Sequence, residues 1–319
     1  MKKTHKKINN LNDLANLLNI STIALIHFAR NADYYEFKIK KKSGGYRTIY
    51  APEQEKKHIQ KSINNLLQQK YKYIDPGCVY GFNSNVPENI KANARNHLNK
   101  NYLLNIDIKD FFPSITSVMV RDVVMEKPFN YNKQVATAFA MLTTFKNSLP
   151  TGAPSSPIIS NFIFTETDLK LIELSKKYKL TYSRYADDLS FSCNNDITDN
   201  IISEISTIIE EAGFKLNPKK HRLLKHYNRQ TVTGITVNEK LNVNRKYIRN
   251  VRAVLHNIES KGLLIASMRY ANSNRLDSDS ARKLISLLRG KIEFIGFVRG
   301  KSDKIYMDFL NRFIHLTHN

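Results

Sequence analysis

Leu11, Leu14, Leu17 and Leu18 recur at helical spacing, and a second apolar run with Leu25, Ile26 and Phe28 starts behind Ser21, a good helix cap. The period then changes. Tyr35, Phe37 and Ile39 alternate with Glu36, Lys38 and Lys40, Ser43-Gly44-Gly45 offers a turn, and 46–50 returns towards Pro52, which predicts a β-hairpin. Ile59, Ile63, Leu66 and Leu67 mark a helix that Asp75-Pro76-Gly77 breaks. Alternation comes back further on: Leu104, Ile106 and Ile108 fall on one face of a strand, with Leu103, Asn105 and Asp107 on the other. A helix is expected over 134–146, then a Pro- and Gly-rich loop over 149–157 whose Pro157 suits the first turn of another helix. Two short strand-like runs flank Asp187-Asp188 and predict a second hairpin with carboxylates at its tip. Ile201, Ile202, Ile205, Ile208 and Ile209 predict an amphipathic helix capped by Asp199 and ended by Gly213, and 232–237 is strand-like. Beyond Asn244 the pattern is helical, with Ile248, Val251, Leu255 and Ile258 facing inward and further helices near 281–289 and 303–315. Strands interleaved with helices, followed by helices alone, predict an α+β chain.

Adjacent acids at a turn are ordinarily harmless, because aspartate tolerates turn geometry and hydrogen-bonds its own backbone. Asp107 changes that reading, since it ends an apolar strand. Beside a hairpin tip bearing Asp187 and Asp188 it would complete a three-carboxylate cluster. Like charges that close stay ionised only when cations neutralise them. Oxygen donors without Cys or His favour Mg²⁺, kept partly hydrated and completed by substrate phosphates. Two such ions are the standard device for in-line phosphoryl transfer.

Charge narrows the partners. Fifty basic residues against 28 acidic ones leave a formal net charge of +22. The bland account is a soluble basic protein, but an excess this large points to a polyanion and salt-sensitive association. Arg245, Arg249, Arg252 and His256 line one face beside the apolar stripe of their helix, which suits either solvent or, better in this context, nucleic acid. No stretch approaches the ~20 apolar residues of a membrane span. The basic start, Met1-Lys2-Lys3-Thr4-His5-Lys6-Lys7, leads into an Asn-rich run without a signal peptide's apolar core. Cys78 and Cys193 stand apart from each other and from any metal-ligand spacing, so a reducing cytoplasm is expected. At 319 residues the chain suits two or three subdomains better than one compact core.

Tyr185-Ala186-Asp187-Asp188 resembles the palm motif of reverse transcriptases. The Asp107 strand running into Phe111-Phe112-Pro113-Ser114 is similar to their first catalytic motif, and Leu149-Pro150-Thr151-Gly152-Ala153-Pro154-Ser155-Ser156-Pro157 to the loop between the two. Within that group the chain most resembles the retron reverse transcriptases. Asn93-Ala94-Arg95-Asn96-His97 looks like their Asn-Ala-x-x-His element, and Val232-Thr233-Gly234 like their Val-Thr-Gly element. The resemblance runs in the expected order from about Gly44 to about Val243, and the ordered set is far more specific than any one motif.

The resemblance implies a right-hand polymerase: N-terminal helices and fingers over 1–100, palm with interleaved fingers helices over 101–240, and a helical, RNA-binding thumb over 241–319. It implies metal ligands at Asp107, Ile108, Asp187 and Asp188, and substrate contacts from Arg47, Phe112, Gly152, Asn161 and Lys220. Arg47 would grip the triphosphate, Phe112 would sit under the sugar and exclude a 2′-hydroxyl, and Lys220 would protonate the leaving pyrophosphate, although a plain basic loop accounts for Lys220 equally well. Thr151 departs from the family's usual Gln. RNA contacts are implied for Asn93, His97, Val232, Thr233, Gly234, Arg245, Arg249 and Arg252, with a structural Asn–His pair as the alternative for the first two. The implied activity is DNA synthesis from deoxynucleoside triphosphates on a structured noncoding RNA, primed from a guanosine 2′-hydroxyl, to a branched RNA–DNA product that acts with an effector protein in phage defence. No RNase H region is recognisable. The rivals are another bacterial reverse transcriptase, of group II intron or abortive-infection type, and a noncatalytic RNA-binding palm scaffold.

Overall fold

The computed structural model describes residues 8–31, 33–41, 44–271 and 278–318. The basic start over 1–7 and Ser43 of the expected turn lie outside them. Helices α1 (Leu11–Leu17) and α2 (Thr22–Arg30) precede a hairpin of β1 (Tyr34–Lys40) and β2 (Tyr46–Pro52). Then come α3 (Gln54–Tyr71), α4 (Asn89–Arg95) and β3 (Tyr102–Asp107). Three helices, α5 (Phe111–Ser114), α6 (Ser117–Met125) and α7 (Lys133–Thr143), lead to the long α8 (Ser156–Lys177). The second hairpin is β4 (Thr181–Tyr185) and β5 (Asp188–Cys193), followed by α9 (Asp199–Glu211), β6 (Arg222–Lys225), β7 (Thr231–Val232) and β8 (Ile235–Thr236). The chain closes with α10 (Arg245–Lys261), α11 (Leu263–Ala271), α12 (Ser278–Arg299) and α13 (Lys304–His318). This is the expected α+β class.

The chain divides into two compact units. The first comprises residues up to Asn89 together with Leu104–Leu223. Its frame is a sheet in the order β4-β5-β3-β6, which puts β3 inside the sheet, next to β5 of the carboxylate hairpin. The alternation in β3 predicted one covered face, yet Leu103, Leu104, Ile106 and Asp107 are all buried. An interior strand covered on both faces loses its one-sided pattern. Helix α8 begins with Pro157 in its first turn and buries Ile158, Phe162, Phe164 and Leu171. Ser21 caps α2 as expected, whereas Thr198 takes the N-cap position of α9 without a side-chain capping bond, and Asp199 falls in the first turn, where its charge favours the helix dipole.

The β1–β2 hairpin is covered on one side only. Tyr34 and Tyr50 pack on Phe145, with ring centroids 4.6 and 5.2 Å away. The opposite face carries Phe37, Ile39 and, across the register from Ile39, Arg47. There Phe37 and Ile39 remain 47% and 50% exposed. This face of the hairpin is therefore not part of the core.

The second unit comprises Ile90–Leu103 and residues from Leu224 onward. Ile248, Val251, Leu255 and Ile258 are buried as their spacing predicts, packing with Leu284, Leu288, Ile292 and Phe309. The helices expected near 281–289 and 303–315 are the longer α12 and α13, and α11 is an addition. The strand-like 232–237 folds as a tight hairpin. Thr233 and Gly234 both take positive φ, at 49° and 81°, the geometry of a two-residue turn.

Two elements expected to contact RNA serve this core. Val232 is buried in the same core as Ala94, and the Thr233 hydroxyl donates to the Ile90 carbonyl at 2.9 Å. Asn93 and His97 are almost fully buried, so the structure assigns them to the interior rather than to an RNA-facing surface. Burial, with Lys100 nearby, holds the His97 imidazole well below its usual value, at about 3. The unfolded chain therefore binds one more proton than the folded chain between about pH 6.5 and about pH 3, and stability falls as pH drops through that window. Replacing His97 by Gln should remove about 1 kcal/mol per pH unit from the acid slope of the unfolding free energy. Urea unfolding between pH 7.0 and 5.5 measures it, and equal slopes in the two proteins would contradict a buried neutral histidine.

Candidate active site

Asp107 ends β3, and Ala186 and Asp187 form the turn between β4 and β5, where Tyr185 pairs with Asp188. The turn is tied to β3 by its backbone, since the Ile108 amide donates to the Asp187 carbonyl at 3.0 Å. An isoleucine side chain offers no metal ligand, so Ile108 can serve only through its backbone. Asp107 is held from the other side. Its carbonyl accepts from the Asn217 amide at 2.8 Å, its Oδ2 from Asn217 Nδ2 at 3.1 Å, and its Oδ1 from Lys220 Nζ at 2.5 Å. The residues 218–220 form a single 3₁₀ turn that sets Lys220 at this reach.

The electrostatics are those of a crowded anionic site. Burial, then the charge of Asp107, raises Asp187, against the opposing pull of Lys220 and Arg47. Desolvation, then the charges of Asp187 and Asp107, pushes Asp188 up to about 6. Asp188 is also exposed at the surface. The two statements agree physically: a carboxyl can touch water on one side while protein and like charge fill the others. Partial burial pulls Lys220 down, but its bond to Asp107 and the field of all three carboxylates leave it raised and cationic. Among the described residues, no three Cys, His, Asp or Glu side chains already stand at metal-coordinating distances. The donor set nevertheless fits a hard divalent cation: all oxygen, excess negative charge, and an ammonium already drawn onto Asp107.

Beneath the turn lies a buried network that the sequence reading missed. Ala186 takes a left-handed φ of 57°. Gly81 lies against it so closely that an added Cβ would stand 2.5 Å from the Ala186 nitrogen. The segment of Gly81 pairs with β4, the Tyr80 amide donating to the Arg184 carbonyl at 2.9 Å and the Arg184 amide to the Cys78 carbonyl at 2.8 Å. Arg184 is fully buried. Its Nε donates to Asp168 Oδ1 at 2.8 Å and its Nη2 to Asp168 Oδ2 at 2.6 Å, while Nη1 reaches Asn161 Oδ1 at 3.0 Å and the Ala186 carbonyl at 3.3 Å. The signal was present: Asn161, Phe164, Asp168 and Leu171 share one stripe of α8, and an acid on an apolar stripe demands a cationic partner.

The remaining candidates divide. Arg47 is exposed on β2, and its charge is felt at Asp187. Phe111 is core. Phe112 is half-buried, between Phe111 and Phe82 at centroid distances of 5.7 and 6.1 Å, and Phe82 in turn lies 6.3 Å from Tyr185. Asn161, expected to position substrate, is fully buried, with Oδ1 on Arg184 and Nδ2 on the Gly81 carbonyl at 3.0 Å, so its side chain is engaged inside the protein. Gly152 packs against the first hairpin. Its backbone approaches β2, where a Cβ would meet Ile49 Cγ2 at 2.7 Å, and the neighbouring Thr151 carbonyl accepts from the Tyr50 amide at 2.8 Å. Arg245, Arg249 and Arg252 are exposed along α10, Arg252 with its guanidinium over the Phe309 ring at 5.8 Å.

Comparison with known proteins bears on this geometry. Residues 39–237 match the model of the family described as reverse transcriptase (RNA-dependent DNA polymerase). The chain is 33% identical over 271 residues to the Retron Mx65 reverse transcriptase of Myxococcus xanthus, covering 76% of this chain and 62% of that protein. It is 31% identical over 260 residues to the Retron Ec86 reverse transcriptase of Escherichia coli, covering 79% of this chain and 78% of that one. Among solved structures, a Candida albicans telomerase complexed with a telomeric RNA fragment superposes with a TM-score of 0.51 at 11% identity, over 92% of this chain and 62% of that one, a likeness of fold alone. Apo telomerase from Candida tropicalis gives 0.51 at 12% identity over 90% and 61%. A family match spanning the carboxylate site and relatives of this identity and coverage establish that the chain belongs to the retron reverse transcriptases.

Proposed function

We propose that this chain copies part of a structured noncoding RNA into DNA, primed from a guanosine 2′-hydroxyl of that RNA, to give a branched RNA–DNA product. The convergence of Asp107, Asp187 and Asp188 between β3 and the β4–β5 turn carries the polymerase reading. A divalent metal requirement comes with the family. We assign it to two Mg²⁺ ions held by Asp107, the Ile108 backbone, Asp187 and Asp188. When bound, such ions activate the attacking hydroxyl and stabilise the leaving oxygen. Arg47 binds the triphosphate through its planar fork, which suits phosphate better than a point charge. Phe112, half-exposed beside Phe82, lies under the sugar. Lys220 is cationic and already at the site, so it can leave Asp107 for the phosphates and give up its proton there. The names of the retron relatives support the branched product, and the net charge of +22 supports a nucleic-acid partner. Action beside a separate effector in phage defence, in the cytoplasm, completes the proposal. The N-terminal and fingers, palm and thumb parts are assigned to 1–100, 101–240 and 241–319.

Three measurements test it. Asp107→Asn and Asp187→Asn should each lower DNA synthesis by at least about 10²–10³-fold, Asp188→Asn somewhat less, with RNA binding within a few-fold of the parent. Millimolar Mg²⁺ should raise the melting temperature of the parent and not of Asp187→Asn. Near-normal extension by Asp187→Asn on any primer-template would falsify the assignment. Sugar selection rests on bulk at one position, so Phe112→Val should admit ribonucleotides. The ratio of dNTP to NTP incorporation decides this, and an unchanged ratio removes Phe112 from that role.

The exposed arginines of α10 address RNA selection. Charge alone gives affinity without specificity, and folded RNA is recognised largely by shape and phosphate contacts. Replacing Arg245, Arg249 and Arg252 together by Gln should reduce self-primed synthesis on the native RNA at least tenfold. Extension of an unrelated annealed primer at low salt should fall much less. Equal losses on both substrates would mean that this face holds any duplex, and no loss on either would make it ordinary solvated surface.

A further inference from the structure

We propose that Arg184, Asn161 and Gly81 form a positioning clamp that sets the β4–β5 turn, and through it the aim of Asp187 and Asp188. The inference rests on the polymerase reading above. Its starting point is how the Arg184 donors are shared out. Asp168 takes Nε and Nη2, which neutralises the buried guanidinium. That pairing alone satisfies the charge. Nη1 is left over, and both of its contacts lead to the turn: directly to the Ala186 carbonyl, and through Asn161 Oδ1 to the residue whose Nδ2 holds the Gly81 carbonyl. A guanidinium is planar and rigid, so fixing one edge on Asp168 fixes where Nη1 points.

The turn needs such a hold. Ala186 has a side chain yet sits at a φ of 57°, a conformation that non-glycine residues rarely adopt without support. Gly81 packs directly against its amide, with no room for a Cβ. The contacts therefore close a ring from Asp168 through Arg184 and Asn161 to Gly81 and Ala186. Phe164 covers the guanidinium at 4.8 Å. Asp187 follows Ala186 immediately, so a turn that relaxes moves the carboxylates before anything else.

Removing Arg184 or Asp168 would strand a buried charge and threaten folding, so the test uses milder changes at two ends of the network. Asn161→Ala breaks the arm that reaches the turn. Tyr182→Phe deletes the hydroxyl that donates to Asp168 Oδ1 at 2.7 Å, a bond that does not reach the turn. Each full-length variant is compared with the parent by melting temperature, single-turnover extension of an annealed primer-template, primer-template affinity, and Mn²⁺ binding to the nucleic-acid-free protein by electron paramagnetic resonance. Asn161→Ala should extend 10- to 100-fold more slowly and bind Mn²⁺ at least fivefold more weakly, with primer-template affinity within twofold of the parent. Tyr182→Phe should melt lower to a similar degree yet keep its extension rate and Mn²⁺ affinity within twofold. Asn161→Thr, polar but too short to span both partners, replaces Asn161→Ala if that protein does not fold. Rate losses that simply follow melting temperature in both variants, or unchanged Mn²⁺ affinity in the Asn161 variant, would reduce the network to fold support. A parent chain that makes no DNA at all would instead overturn the polymerase reading.

Discussion

Mutual repulsion of three carboxylates is the constraint around which the first unit is arranged. Asp107, Asp187 and Asp188 lie in one another's field, which adds to burial in raising Asp187 and Asp188. Two sorts of support oppose the repulsion. One is charge: Lys220 sits on Asp107, and Arg47 adds its pull at Asp187. The other is backbone, through the Ile108–Asp187 hydrogen bond and the packing of Gly81 under Ala186. Charge can be rearranged when substrate arrives. Backbone cannot, so it alone keeps the geometry constant through a reaction cycle.

The distribution of basic groups follows the same logic. Arg184 and Arg299 are buried and spent on fixed acidic partners, Asp168 and Asp303. Arg47, Arg245, Arg249 and Arg252 stand in solvent, where each is available to phosphate. A count of +22 does not distinguish these two populations.

Periodicity read the first and last parts of the chain well, because the apolar stripes of α3, α9 and α10 each face a single core. It read β3 poorly, since an interior strand covered on both faces shows no reliable alternation. The three carboxylates were legible as a pattern of adjacent acids and a distant strand-end partner. Their supports were not. Arg184 looked like one more basic residue, Asp168 and Asn161 looked like helix positions, and only the fold reveals that the three meet. Asn93 and His97 carried two readings for a related reason: polar residues in a basic chain invite a role towards RNA, while an Asn and a His one helical turn apart also suit a structural pair, which their burial favours.

The discontinuity of the second unit has a consequence for how these enzymes can be recombined. Its core is assembled from Ile90–Leu103 and from residues from Leu224 onward, joined where the Thr233 hydroxyl meets the Ile90 carbonyl and where Ala94 and Leu103 share the core with Val232. A C-terminal segment grafted from a relative would therefore arrive without the Ala94 and Leu103 part of its own interior. Chimaeras that exchange only the last hundred or so residues would pair a foreign hairpin with a native α4, and their failure would say nothing about RNA choice. An exchange that respects the packing moves both segments together and keeps Asp107, Asp187 and Asp188, which lie between them in sequence, on the parent chain.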